Sequence, residues 1–206
     1  PHLVTPAAMN PLGAKDGPAY RGDLAEVQRL LELKMDPNET CEPHGSSAVH
    51  QAAMAGHCEV LRLLREFGAD LSAPDGRMLT AAHLAADAGH VEVLRLLHEL
   101  QLPLLAPDGS GKTALHRAAA SGHVPILEFF QALDVDLLTP AENGKTAVHY
   151  AAQAGQNEVL RYLPPSCSKK ILQLTESILR GEKPRRPILA EHVARRTWVD
   201  VEEEGP

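Results

Sequence analysis

Apolar residues fall along this chain in short bursts, and the bursts recur. Between positions 59 and 67 the order Glu-Val-Leu-Arg-Leu-Leu-Arg-Glu-Phe sets Val60, Leu61, Leu63, Leu64 and Phe67 on one broad helical face. Leu61 returns as Leu94, Leu127 and Leu160, in steps of 33 residues. A shorter burst precedes each one, built on Ala52-Ala53, Ala85-Ala86, Ala118-Ala119 and Ala151-Ala152. The pattern predicts pairs of short helices, the first packing closely through its alanines, the second apolar along one side. No pair buries that side alone; stacking buries it between neighbours.

Polar residues keep the same period. Ser47-Ala-Val-His50, Thr80-Ala-Ala-His83, Thr113-Ala-Leu-His116 and Thr146-Ala-Val-His149 open successive units, and Gly56, Gly89, Gly122 and Gly155 follow each opening. The threonines suit helix N-caps, where a side-chain oxygen satisfies a free backbone N–H. The glycines stand where a helix stops and the chain needs φ > 0. Pro125 falls in the first turn of a second helix, where a missing N–H costs little. Pro164-Pro165 ends the last burst, Leu160-Arg-Tyr-Leu163.

These residues resemble the ankyrin repeat family, whose unit of about 33 residues is a β-turn plus two helices with a T-P-L-H signature. The resemblance runs over roughly residues 15–163, about five units. Ala81, Ala114 and Ala147 replace the usual Pro, Met78 replaces a loop Gly, and Asp16-Gly-Pro stands in an irregular first unit. It implies an all-α solenoid of stacked helix-turn-helix units with short β-hairpin loops. The expected organisation is an N-terminal extension over 1–14, repeats over 15–165, a helix within 166–181 and a charged tail over 182–206. Ile171, Leu174, Ile178 and Leu179 would share one side of that helix, which either caps the open end of the stack or binds a partner.

With aromatics at 3%, the core must be built from Leu, Val and Ala. Residues 1–167 carry 12 basic and 20 acidic side chains, residues 168–198 carry 8 and 3, and the last eight add four acids. An acidic body does not attract a phosphate backbone, so nucleic acid is disfavoured as a partner. Cys41, Cys58 and Cys167 are too few and too scattered for a disulfide framework, which predicts an intracellular protein, cytoplasmic or nuclear. No apolar run approaches the ~20 residues of a membrane span, so no membrane insertion is expected. The start lacks the pattern of a signal peptide. It begins at Pro rather than Met, as a processed product or a piece of a longer chain does.

Candidate chemistry is weak throughout. Ala106-Pro-Asp-Gly-Ser-Gly-Lys-Thr113 fits a relaxed phosphate-loop pattern, but the repeat already explains Gly111 and Thr113, and Asp108 repels a phosphate. His50, His83, His116 and His149 form one ladder, and His57, His90 and His123 another. Units about 10 Å apart cannot bring two rungs to the ~2 Å that zinc needs. The family resemblance implies that the first ladder bonds backbone and the capping Thr. No Ser sits in a G-x-S-x-G elbow, and no Cys has an activating context. Asp134 and Asp136 read as solvated surface. Asn38-Glu-Thr40 matches a glycosylation acceptor, expected to go unused without a secretory signal. Lys183-Pro-Arg-Arg186 with Arg195-Arg196 is a short basic cluster, read as solvated in preference to a nuclear-localisation signal. The expectation is no catalytic residue, no cofactor and no metal.

What remains is a protein partner. The resemblance implies binding on the concave surface made by hairpin tips and first helices. Spacing maps the tips to Arg77 and Leu79, Ser110 and Lys112, and Glu142, Asn143 and Lys145, and the first-helix positions to Asp87 and Gln153. Met78 and Leu79 place two apolar side chains where Gly and a polar residue are expected, and Leu105 and Leu138 take a place that often carries Asn. Grouped apolar exposure marks interfaces, which makes this edge the expected site; packing on one another or on the tail is the alternative. Trp198, the single Trp, could anchor a short linear motif or dock back on the chain. The sequence thus predicts a monomeric scaffold, adaptor or inhibitor. Its rivals are a recruiting domain of a larger ubiquitin ligase, kinase or acyltransferase, and a nuclear regulator with a basic tail.

Overall fold

The structure is a computed structural model and describes residues 11–41 and 43–162. The expected helix within 166–181, the charged tail and Trp198 lie outside those residues. Among the described residues ten helices pair in sequence: α1 (Pro18–Arg21) with α2 (Leu24–Glu32), α3 (Ala48–Ala55) with α4 (Cys58–Glu66), α5 (Ala81–Ala88) with α6 (Val91–Glu99), α7 (Ala114–Ser121) with α8 (Val124–Ala132), and α9 (Ala147–Gln153) with α10 (Asn157–Tyr162). Odd-numbered helices pack side by side in one layer and even-numbered helices in a second. Among the described residues there is no strand; one isolated bridge joins Cys41 and Ser46 in the first hairpin loop.

The alanine pairs explain the first layer. Ala52, Ala85, Ala118 and Ala151 are fully buried, and with no side chain beyond Cβ they let neighbouring helices approach closely. The second layer contributes Val60, Leu61 and Leu64, then Val93, Leu94 and Leu97, then Ile126, Leu127 and Phe130. Both layers join one continuous core. Leu12, in the expected N-terminal extension, is also fully buried there. Phe67 departs from expectation: it is 40% exposed. α4 ends at Glu66, and Gly68 at φ +87° turns the chain away before Phe67 can join the apolar face.

The first helices of the second to fifth units, α3, α5, α7 and α9, open on the expected cap, whereas α1 opens on Gly17 without one. The Thr80 hydroxyl accepts from the His83 backbone N–H, while His83 Nδ1 accepts from the Thr80 N–H at 3.1 Å and lies 2.9 Å from its Oγ1. The far nitrogen, Nε2, meets a carbonyl of the next unit: Leu79 O for His50 (3.0 Å), Lys112 O for His83 (3.1 Å) and Thr139 O for His116 (3.0 Å). A carbonyl only accepts, so Nε2 carries the proton and each ring is neutral. Burial pushes the pKa of His50, His83, His116 and His149 down in agreement.

The second ladder links units in the opposite direction. Nε2 of His57, His90 and His123 donates back to the carbonyls of Tyr20, Met54 and Asp87 at 2.9–3.1 Å. Gln156 takes the same place in the last unit, donating to Ala120 O at 3.0 Å. Gly56 and Gly89 are therefore needed twice over. They adopt φ of +82° and +87°, and a Cβ would come within 2.6 Å of the His90 imidazole at Gly56 and within 2.8 Å of the His123 imidazole at Gly89.

Asn38 has a role that the glycosylation match hides. Its Nδ2 donates to Gly68 O (3.1 Å) and its Oδ1 accepts from Asp70 N (2.8 Å), clamping the first unit to the second. Ser72, Leu105 and Leu138 hold this register in later units. Pro103, the counterpart of Asp70 one unit on, has no N–H to offer such a clamp.

Candidate partner-binding edge

The third and fourth hairpin tips are each built around an aspartate. Asp75 Oδ1 accepts from the backbone N–H of Arg77 and of Leu79, both at 2.8 Å, and Asp108 Oδ1 accepts from Ser110 N (2.7 Å) and Lys112 N (3.0 Å). The stretch that resembled a phosphate loop is thus a tip closed on its own carboxylate. Met78 sits at φ +61°, where the neighbouring tips have Gly111 and Gly144. It is 53% exposed, the most exposed large apolar side chain of these tips. A groove of about 400 Å3 runs between the third and fourth tips, lined by Arg77, Met78, Ser110 and Arg117 among others.

Beneath the tips lies a charge network that the sequence reading missed. Arg117, on α7, donates from Nη1 to Asp87 Oδ2 at 2.7 Å, and from Nη2 and Nε to Asp108 Oδ2 at 2.6 and 3.0 Å. Ser121 Oγ adds a bond to Asp87 Oδ1 at 3.2 Å. The Asp108 side chain is 1% exposed and that of Arg117 20%. Burial alone would raise the Asp108 pKa, but the Lys112 N–H, the Ser110 hydroxyl and the Arg117 guanidinium outweigh it and hold the carboxyl far below its usual range. Asp75 behaves alike: burial is offset by the Leu79 and Arg77 N–H groups and the Arg77 guanidinium.

A second cluster joins the fourth and fifth units. The Tyr150 ring meets His116 edge-on at 5.5 Å. Lys112 Nζ lies 5.0 Å and Lys145 Nζ 6.0 Å from the ring centre. Asn143 holds the phenol, donating to it at 2.7 Å and accepting from it at 3.1 Å. Glu142 donates its N–H to Gly111 O at 3.2 Å.

The structure therefore brings Arg77, Met78, Asp87, Ser110, Lys112, Asn143 and Lys145 into two adjoining clusters along the tips and first helices. Leu105 and Leu138 are exposed but lie in the turns after α6 and α8, Glu142 is exposed on the fifth tip, and Gln153 is exposed at the end of α9. Leu79 does not fit the expectation of an exposed apolar tip residue: it is 4% exposed. It precedes the Thr80 cap and Leu84 stands four residues into the helix, the spacing of a hydrophobic staple, and both are buried. The same register carries Lys112 with Arg117 and Lys145 with Tyr150, so the staple spacing could have pointed to both clusters.

Sequence comparison agrees with this architecture. Residues 18–102 match a family model described as ankyrin repeats (3 copies), residues 82–131 one described as ankyrin repeats (many copies), and residues 143–163 one described as ankyrin repeat. The chain belongs to the ankyrin repeat family. It is similar to Protein phosphatase 1 regulatory subunit 27 of Mus musculus and of Homo sapiens, 34% identical in each case over 55 residues. That match covers 27% of this chain, which spans 36% of the length of each relative. Ankyrin repeats mark a protein-interaction module. Among the described residues no helix is long and apolar enough to cross a membrane.

Proposed function

We propose that the chain binds another protein along the concave edge of its third to fifth units, as a scaffold, adaptor or inhibitor without catalysis of its own. The observation that carries this reading is Met78, an apolar side chain held in solvent by a backbone conformation that its neighbours give to glycine. A non-glycine residue at positive φ costs of order 1–3 kcal/mol, and no packing offsets it at an exposed position. Along the same edge, Arg77, Lys112 and Asn143 have side chains already ordered by hydrogen bonds or ring contact, which lowers the entropy lost on binding. The matched relatives are regulatory subunits by name, which favours the inhibitor or regulator among the three roles. A monomer in the cytoplasm or nucleus completes the proposal.

The test is affinity capture with three baits, each checked for fold by circular dichroism. One is the intact chain. The second carries Met78→Ser, Leu105→Ser and Leu138→Ser, all exposed positions. The third carries Leu33→Ser, a still more exposed leucine in the first unit. A protein lost from the second bait alone is the expected result. Equal recovery by all three overturns the assignment of this edge.

A further inference from the structure

The body of the chain is acidic, yet one place on it gathers positive charge. Lys112 and Lys145 come from successive tips and converge on a single ring, that of Tyr150. Arg29, Arg62, Arg77, Arg95, Arg117 and Arg161 each lie within 4 Å of a carboxylate. Among the described residues neither lysine makes such a pair. The acid nearest Lys145 in sequence, Glu142, leans over Gly111, where a Cβ would meet its side chain at 2.5 Å, and the acid nearest Lys112, Asp108, is bonded to Arg117. The ring face attracts the ammonium groups but does not neutralise them, and two like charges on one ring raise each other's energy. The Lys145 charge is also felt by His149, whose pKa is depressed first by burial and then by that lysine.

The same sequence holds a matching partner. Asp200, Glu202, Glu203 and Glu204 give four carboxylates within five positions. We propose that this acidic run docks on the Lys112–Tyr150–Lys145 cluster of its own chain and occupies part of the partner-binding edge. Reach is no obstacle, because residues 163–199 set a covalent limit of roughly 120 Å from Tyr162. Tethering makes the encounter intramolecular, so weak carboxylate–ammonium contacts are held at millimolar effective concentration. The docking itself stands on charge and geometry. Its consequence, that a partner must displace the run, rests on the reading of the concave edge above.

Trp198 stands two residues before Asp200 and is the chain's single tryptophan, so its fluorescence reads the position of the run in the intact protein. Lys112→Gln with Lys145→Gln should lower Trp198 anisotropy and shift its emission to longer wavelength at low salt. Raising wild type to about 1 M salt, where the Debye length is ~3 Å, should reproduce that change and leave the double variant unmoved. Glu202→Gln, Glu203→Gln and Glu204→Gln together should match the lysine variant, and combining the two sets should add nothing. Lys15→Gln with Lys34→Gln serves as a control and should leave the signal at the wild-type value. Circular dichroism confirms that every variant is folded. Wild-type anisotropy in the Lys112/Lys145 variant overturns the proposal and points the run to another basic site, such as Lys183–Arg186. A signal that grows with protein concentration also overturns it, in favour of a second copy's acidic run. No partner enters this measurement, so its failure leaves the concave-edge reading to be judged by affinity capture alone.

Discussion

The joints between units and the edge along their tips are built from the same repeat in opposite ways. At the joints one solution is reused: His57, His90 and His123 reach back to carbonyls of the preceding unit, and Gln156 copies the bond with a different donor. Along the tip edge one register carries Gln51, Leu84, Arg117 and Tyr150 in turn, and each makes a different environment. Gln51 keeps a buried Oε1 with no hydrogen-bond partner among the described residues, Leu84 is buried, Arg117 bridges two carboxylates, and Tyr150 collects two lysines. Cohesion resides where the units agree, and individuality where they differ.

The sharpest way to break the joints is His83→Ala. It strips their partner from the half-buried Lys112 carbonyl and the buried Thr80 N–H, and should cost ~3 kcal/mol in urea unfolding. The same joints give a pH dependence of definite sign. Folded-state pKa values of the four capping histidines lie below the ordinary value of about 6.5, so their stabilisation is complete above that pH and is lost as pH falls through it. The urea midpoint should therefore drop between pH 7.5 and 5. A second fall should come below about pH 4, where unfolded aspartates take up protons that Asp75 and Asp108 resist.

Making the tip edge more regular should have mixed effects, and the mixture tests the comparison. Arg117→Leu restores the residue of the preceding unit but leaves Asp108 buried without its guanidinium. A loss of ~2 kcal/mol is expected, below the full value for a buried pair because Arg117 is partly exposed. Leu105→Asn should recreate the Asn38 clamp on the Asp134 carbonyl and the Asp136 N–H. A gain of ~1 kcal/mol by thermal or urea unfolding would show that the clamp register tolerates its family residue. Met78→Gly relieves a positive φ and should stabilise by roughly 0.5–1 kcal/mol while weakening capture of the partner. A variant that is both less stable and fully binding-competent would place Met78 in the fold rather than the function.

Most of the scaffold was legible because period carries it. A capping Thr, a ladder His and a turning Gly recur together, and each has a local reason that can be read without a structure. What escaped depends on contacts between units. Leu79 looked exposed because tips are polar by habit, yet its place before the Thr80 cap buries it. Arg117 drew no notice in the sequence, since its partners Asp87 and Asp108 are 30 and 9 positions away. Asn38 resembled a glycosylation acceptor because its own unit lacks the Gly68 carbonyl that occupies it. The sequence proposed the candidate edge from Met78, Leu79, Leu105 and Leu138, with Lys112 and Asn143 added by spacing. Its two clusters needed the stack.

The forward-reaching histidines ask only for a backbone oxygen in return. His50 bonds the carbonyl of Leu79 and His83 that of Lys112, whatever side chains those positions bear. One of those side chains is buried beside a cap, and the other sits on the ring of Tyr150. A lineage can therefore rewrite what the tips display without renegotiating what holds the array together. New side chains at those two positions leave both bonds between units available.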